Sequence, residues 1–310
     1  MELKDFVPPI LVRAARKLRP RTVATPMVPH LSETVYASYA EAAAACSEFG
    51  YEQNDLVDVI CRKTAIYRDK CASESAPMVT GVEMAALVGL GLARPATGEV
   101  SVLDFGGACG AHYFRVKSIV GDSLRLNWRV VETPTMAQRA QELANSELSF
   151  FSSLTAAIEG VDGIDLLFSS SALQCVPDPY RTLQDLLECN AEYLALVRVG
   201  LTDSDRDYIT IHETSLAENG PGPLPPGMKD GPSRYPFTYP ARARIEGMLS
   251  KDYRIMLRSP EASGVLLAHS DRILGLSYVA HRRPGNTEFS HALVGQLRDV
   301  NAATQASQGT

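Results

Sequence analysis

VLDFGGACG, residues 102–110 of a 310-residue chain, sets an acid at the end of an apolar strand and follows it with a glycine-rich turn. Val100, Val102 and Leu103 are the β-rich lead-in, and Gly106, Gly107 and Gly110 allow a sharp turn in which backbone, not side chain, approaches a ligand. The glycines loosely match a dinucleotide fingerprint, but that motif carries its acid about 20 residues further on. Here Asp104 precedes the glycines, where it would repel a pyrophosphate and suit a cationic ligand.

The second acid is present too. LRLNWRVVE, residues 124–132, alternates and then runs continuously apolar, the pattern of a buried parallel strand, and ends in Glu132. An ionised carboxylate offers only acceptor sites, so Glu132 can take both hydroxyls of a ribose. A helix over 111–120 between the strands completes one β-α-β unit. S-adenosylmethionine, with an ammonium, a sulfonium and an adenosine, suits this pair of acids.

The rest of the chain narrows the choices. The formal charge of −6 leaves no basic footprint for nucleic acid, and the one basic segment, residues 13–21, reads as the solvated face of a helix. No stretch reads as a signal peptide or a membrane span, so the cytoplasm is expected. The six cysteines are scattered without C-x-x-C spacing, and reduced, mostly buried thiols are the expectation.

Helical patterning over 34–49, 54–70 (with Asn54 as N-cap) and 81–93 defines a helical region within residues 1–95. A cofactor-binding core follows over 96–284. Strands are expected to end at Asp104 and Glu132 and to cover 148–151, 164–168 and 193–199, with helices over 135–145 and 179–189 between them. This alternation predicts a parallel sheet with helices on both faces and ligands at the C-terminal strand ends. Residues 201–236 break the rhythm. They contain NGPGPLPPGMKDGP, too long for an ordinary connection, and read as a lid over 217–232 or a mobile insert. A helix over 241–249 and strands over 253–258 and 272–279 close the core, and 285–310 form a polar tail.

Taken together, the chain resembles the class I S-adenosylmethionine-dependent methyltransferases, and within them a little-characterised bacterial family found among surface-polysaccharide and natural-product genes. The residues that carry this are VLDFGGACG, VVE, DLLFSSSALQCVPDP at 165–179, ILGLSYV at 273–279 and, upstream, GYEQNDLVDVICRKTAIYRD at 50–69. The resemblance implies a Rossmann-like seven-stranded α/β sheet with a final antiparallel pair and an N-terminal helical cap over the substrate. It also implies S-adenosyl-L-methionine as cofactor and a small-molecule acceptor methylated on O, N or C. By the same resemblance Asp104, Gly106, Gly107 and Gly110 surround the amino-acid end of the cofactor, Glu132 holds the ribose, and Phe151 with Ser152 flank the adenine. Ser169, Ser170, Ser171 and Leu173 lie opposite the methionine portion. Arg68 either crosses from the cap to the cofactor carboxylate or forms a surface pair with Asp69. Ala108 departs from the usual middle glycine, and His212 stands where members often carry glutamine.

Methyl transfer is an in-line displacement that needs alignment and, for some acceptors, a base. His212, in IHETS after the fifth strand, is the leading base because imidazole titrates near neutrality, with Glu213, Tyr235 and Tyr239 as alternatives. His112 opens the helix after the glycine turn and points either to the cofactor or to solvent; His30, His269 and His291 fall outside the expected pocket, and His281 ends the last strand. The tyrosines at 36, 39, 51 and 67 line an apolar pocket or belong to the core. No carboxylate set after the fourth strand suits a metal, so metal independence is expected. A homodimer stays open. Competing functions are a nicotinamide-dependent oxidoreductase and a non-methylating member of the same fold.

Overall fold

The computed structural model describes residues 34–46, 51–75, 77, 79–93, 98–268 and 271–284. The basic segment at 13–21, His30, His269, His291 and the tail at 285–310 lie outside the described residues. Among the described residues the core is a seven-stranded sheet. Its strands are β1 (Glu99–Phe105), β2 (Arg125–Val131), β3 (Leu148–Phe151), β4 (Leu166–Ser170), β5 (Tyr193–Thr202), β8 (Tyr253–Ala268) and β9 (Asp271–Arg282), and they lie in the order β3-β2-β1-β4-β5-β9-β8. β1 pairs in parallel with β2 and β4, with Val102 opposite both Trp128 and Leu166. The last two strands run antiparallel, β9 against β5 and β8 against β9. This is the sheet that the resemblance implies. The order reverses between β1 and β4, the switch point outside which ligands of such sheets bind.

Local chemistry places the helices. Ser38 caps α1 (Tyr39–Ala44), which is shorter than the alanine-rich pattern suggested. The chain before it is extended instead, with Tyr36 bridged to Ile209. The helix α2 (Asn54–Ser73) follows Gln53, not Asn54, in the cap position. Thr80 and Glu83 form a capping box for α3 (Gly81–Leu92), and Asp178 caps α7 (Pro179–Glu188) through the N–H groups of Tyr180 and Arg181. Gly110 leads into α4 (Ala111–Val120), Pro134 opens α5 (Pro134–Ala140), Ser153 caps α6 (Leu154–Ile158), and α8 (Arg242–Asp252) precedes β8.

Each face of the sheet carries its own apolar layer. On one, Leu56 and Ile60 of α2 and Val82 and Ala86 of α3 join Tyr113 and Phe114 of α4 over Val102, Trp128 and Phe168. Gly89 approaches Leu166 so closely that a Cβ would meet its side chain. Helices α2 and α3 are thus one layer of the core. On the other face Leu183, Leu186, Ile245 and Leu249 cover Leu103, Leu167 and Leu194.

Residues 201–236, expected to be irregular, hold most of a second, two-stranded antiparallel sheet, β6 (Tyr208–Ser215) with β7 (Pro232–Tyr239), in which His212 faces Tyr235. The β-rich runs YITI and RYPFTY pair across the glycine–proline segment, which becomes their connection. A second correction concerns the thiols. Cys61 of α2 and Cys109 of the glycine turn form a disulfide, their Cα atoms 5.6 Å apart, because α2 packs directly on that turn. No described helix is long and apolar enough to cross a membrane.

Candidate functional site

The turn after β1 is built by exclusion of side chains. Gly106 adopts φ +73°, donates its N–H to the carbonyl of Val131 at 2.9 Å, and leaves no room for a Cβ against Ala172. A Cβ on Gly107 would collide with the Asp104 carboxylate. Gly110, at φ +80°, faces Leu148 and Phe150 and turns the chain into α4. Ala108 holds φ +48°, a conformation that a residue with a Cβ adopts at a cost.

The two acids differ in their surroundings. Asp104 is fully buried beneath Gly107; one carboxylate oxygen accepts from Trp128 Nε1 at 2.9 Å and the other has no partner among the described residues. Burial lifts its pKa to about 7, against the opposing indole hydrogen bond and with help from the charge of Glu132. Glu132 reaches a cavity wall. Its two oxygens accept the N–H groups of Ala108 and Thr133, each at 2.9 Å. Burial raises its pKa, and those two bonds oppose the rise.

The cavity beside this turn measures about 1270 Å³. That exceeds the roughly 300–1,000 Å³ of an ordinary small-molecule site and leaves room for two ligands. Gly106, Gly107, Glu132, Ser152, Ser170 and Ser171 line one part, and His212 and Tyr235 line another with Tyr51, Phe237 and Tyr239. Seven expected site residues lie off its wall. Asp104 and Gly110 sit behind the turn, Ser169 is buried within β4, and Leu173 belongs to the opposite apolar layer. The ring of Phe151 lies under the Arg129 guanidinium, 4.5 Å away. Arg68 is on the outer surface of α2, paired with Asp69 at 2.9 Å. Glu213 is exposed and pairs with Arg234 at 2.9 Å, because adjacent residues of a strand point to opposite sides and His212 takes the inward one.

His212 lies after the fifth strand, within β6. Its ring stacks on Phe237 and tilts against Tyr235, with centroids 5.2 Å from each. Burial holds its pKa below the usual imidazole value, with Glu218 opposing, so the ring is a neutral acceptor at neutral pH. His112 also faces the cavity; burial, reinforced by the charge of Arg198, lowers its pKa to about 4. Glu218, Asn219, Gly220 and Pro221 of the β6–β7 connection add to the lining. Lys63 of α2, almost wholly buried, donates to the carbonyls of Ala217 (2.7 Å) and Asn219 (2.5 Å). Lys63, Arg198 and Glu83 are absent from the sequence-based set; a lone arginine inside the apolar run LALVRVGL was the signal for one of them. No three His, Cys, Asp or Glu side chains among the described residues are placed to hold a metal.

The architecture is Rossmann-like α/β. No protein-family model matches the chain, and no curated protein matches its sequence. A S-adenosylmethionine-dependent methyltransferase from Clostridium acetobutylicum ATCC 824 is 10% identical over 71% of this chain and 98% of its own, with a TM-score of 0.42. CalS10, an amino pentose methyltransferase from Micromonospora echinaspora whose structure holds S-adenosylmethionine, is 13% identical over 71% and 95%, with a TM-score of 0.41. The N-terminal domain of EvdMO1, solved with SAH bound, is 14% identical over 64% and 81%, with a TM-score of 0.38.

Proposed function

We propose that this chain transfers a methyl group from S-adenosyl-L-methionine to a small-molecule acceptor, on O, N or C. The carrying observation is Glu132, a cavity-lining carboxylate at the C-terminal end of β2 tied to the glycine turn through Ala108. A carboxylate has about four acceptor positions. Two are taken by backbone N–H groups, and the remainder suits the two hydroxyls of a ribose.

The turn fits such a cofactor because Gly106 and Gly107 bring bare backbone to the cavity, over an Asp104 oxygen that lacks a partner among the described residues. When bound, the cofactor supplies an electrophilic methyl on a sulfonium. Ser152 flanks the adenine in this reading, and Ser170 and Ser171 face the methionine portion. His212 orients the acceptor or takes its proton, Tyr235 shapes the wall beside it, and the cap with the β6–β7 connection excludes water. Asp104 and Gly110 act through the shape of the turn.

Calorimetry on the full chain tests this. S-adenosylmethionine and its demethylated product should bind, and Glu132→Ala should weaken both by about 1–3 kcal/mol, the range for a lost charged hydrogen-bond partner. Tight binding of NAD by the wild type, or unchanged affinity in the variant, overturns the assignment.

A further inference from the structure

β5 is an interior strand between β4 and β9, and its residues 194–197 and 199 are buried. Arg198 interrupts them. Its side chain is exposed where those on either side are buried, yet Arg198 makes no ion pair among the described residues. Its Nε donates to Ser170 Oγ at 3.0 Å, and the guanidinium forms no other bond among the described residues.

The backbone is bent to put it there. The register of β5 against β9 shifts between Leu196 and Val199, and within this irregularity Arg198 takes φ +54°. Its N–H leaves the ladder for Ser277 Oγ at 3.0 Å. Bulges re-aim side chains, and a left-handed conformation is costly for a non-glycine residue. Here the re-aimed side chain reaches the cavity wall.

Its neighbours are already engaged. Glu83 accepts from Thr80 in the α3 capping box, and Glu261 accepts from the Ser277 hydroxyl. Both favour the charged guanidinium, against its partial desolvation by the surrounding wall. His112, neutral, presents an Nδ1 without a partner among the described residues. Arg198 therefore offers unused, forked N–H donors to the cavity, matched to a carboxylate or phosphate.

Position separates this anion site from the glycine turn. β5 is two strands from β1, about 10 Å at the usual spacing. On its other side Tyr239 packs against Gly200, continuing the aromatic wall of Tyr235, Phe237 and His212.

We propose that Arg198 recognises an anionic group, a carboxylate or phosphate, carried by the acceptor, whose apolar or planar body lies along the Tyr235–Phe237–Tyr239 wall. This rests on the methyltransferase reading for which molecule is the acceptor, and the anion site itself can be measured without it.

The test uses the full chain, with and without the demethylated cofactor, and three probes: benzoate, its neutral isostere benzamide, and inorganic phosphate. Wild type should prefer benzoate over benzamide by at least about tenfold. Arg198→Gln should abolish that preference, and Arg198→Lys should keep part of it, since losing a charge-assisted fork costs roughly 10- to 100-fold. Affinity for the demethylated cofactor should change less than about twofold in both variants. Phosphate binding by wild type with no benzoate preference assigns the anion as phosphate and supports the site. Absence of both anions from wild type, an unchanged preference in both variants, or a large loss of cofactor affinity overturns the proposal, the last by giving the guanidinium to the cofactor's own carboxylate. Failure of the cofactor to bind wild type overturns the methyltransferase reading alone. Should Arg198→Gln not fold, the lysine variant still decides.

Discussion

Lys63 Nζ lies 2.7 Å from the carbonyl oxygen of Ala217, joining a core helix to the segment that covers the cavity. A second bond to Asn219 completes the tie, and a Cβ on the neighbouring Gly220 would touch Ile60 Cα at 3.3 Å, so the connection lies directly on α2. Burial lowers the pKa of this ammonium, and Asp230 opposes the shift.

Lys63→Met keeps the bulk and removes the donors. Residues 217–231 should then be cleaved several-fold faster in limited proteolysis and turnover should fall, with cofactor affinity little changed. Unchanged cleavage would show that packing alone holds the segment.

Ala108 is the next case. Its φ of +48° is costly for any residue with a Cβ, and Ala108→Gly relieves it while leaving the N–H to Glu132 in place. The gain is up to about 1 kcal/mol, since glycine also loosens the unfolded chain. Urea denaturation should show a higher midpoint; a lower one means that the methyl group packs better than its backbone suffers.

Asp104 gives a pH dependence of defined sign. Its folded value of about 7 lies above that of a free aspartate, so the folded state binds the extra proton. The contribution to stability is full below the free value near 4 and is lost as pH rises through about 7. Asp104→Asn, isosteric and uncharged, should gain on wild type by about 1.4 kcal/mol per pH unit across that window. Parallel stability curves for the two proteins from pH 4 to 8 would rule out a buried, protonatable Asp104.

The sheet was legible because its strands are long apolar runs, each ending in a chemically distinctive residue: Asp104, Glu132, Ser170. The two-stranded sheet was not, because the glycine–proline segment at 219–232 separates its β-branched and aromatic runs by more than an ordinary hairpin turn. The inward or outward choice at 212 and 213 also stays hidden until the strand is placed. Arg68 and Arg198 show the same limit from opposite sides: the arginine in a motif lies on the surface, and the one in an apolar strand reaches the cavity. The disulfide needed α2 to be laid on the glycine turn, which no spacing between residues 61 and 109 reveals.

That disulfide is itself testable. It closes a loop with sequence separation 48, worth about 4 kcal/mol by chain entropy. Thiol titration in denaturant without reductant should find four reactive cysteines, those at 46, 71, 175 and 189. Reduction should lower the urea midpoint and weaken cofactor binding, because Cys109 lies within the turn. Six reactive thiols before reduction would sink the pairing.

The final prediction concerns His212. Its ring lines the cavity between Tyr235 and Phe237, with no hydrogen-bond partner among the described residues fixing it in another role. A depressed pKa keeps the imidazole unprotonated down to below its ordinary value of about 6.5, so a rate that needs the neutral ring should be flat through neutrality and fall only on the acid side. General-base assistance is worth about 10²–10⁴-fold, and His212→Ala should reduce turnover on that scale while cofactor affinity holds. His212→Gln separates two roles that alanine cannot, because glutamine keeps a hydrogen-bonding side chain and loses the titratable nitrogen. Near-wild-type turnover in the glutamine variant, with the acid limb unchanged, assigns His212 to positioning the acceptor. Loss in both variants, with the acid limb abolished in the residual activity, assigns it to removing the proton. If both substitutions leave turnover intact, the imidazole has neither role and the reaction proceeds by alignment between the aromatic wall and the glycine turn.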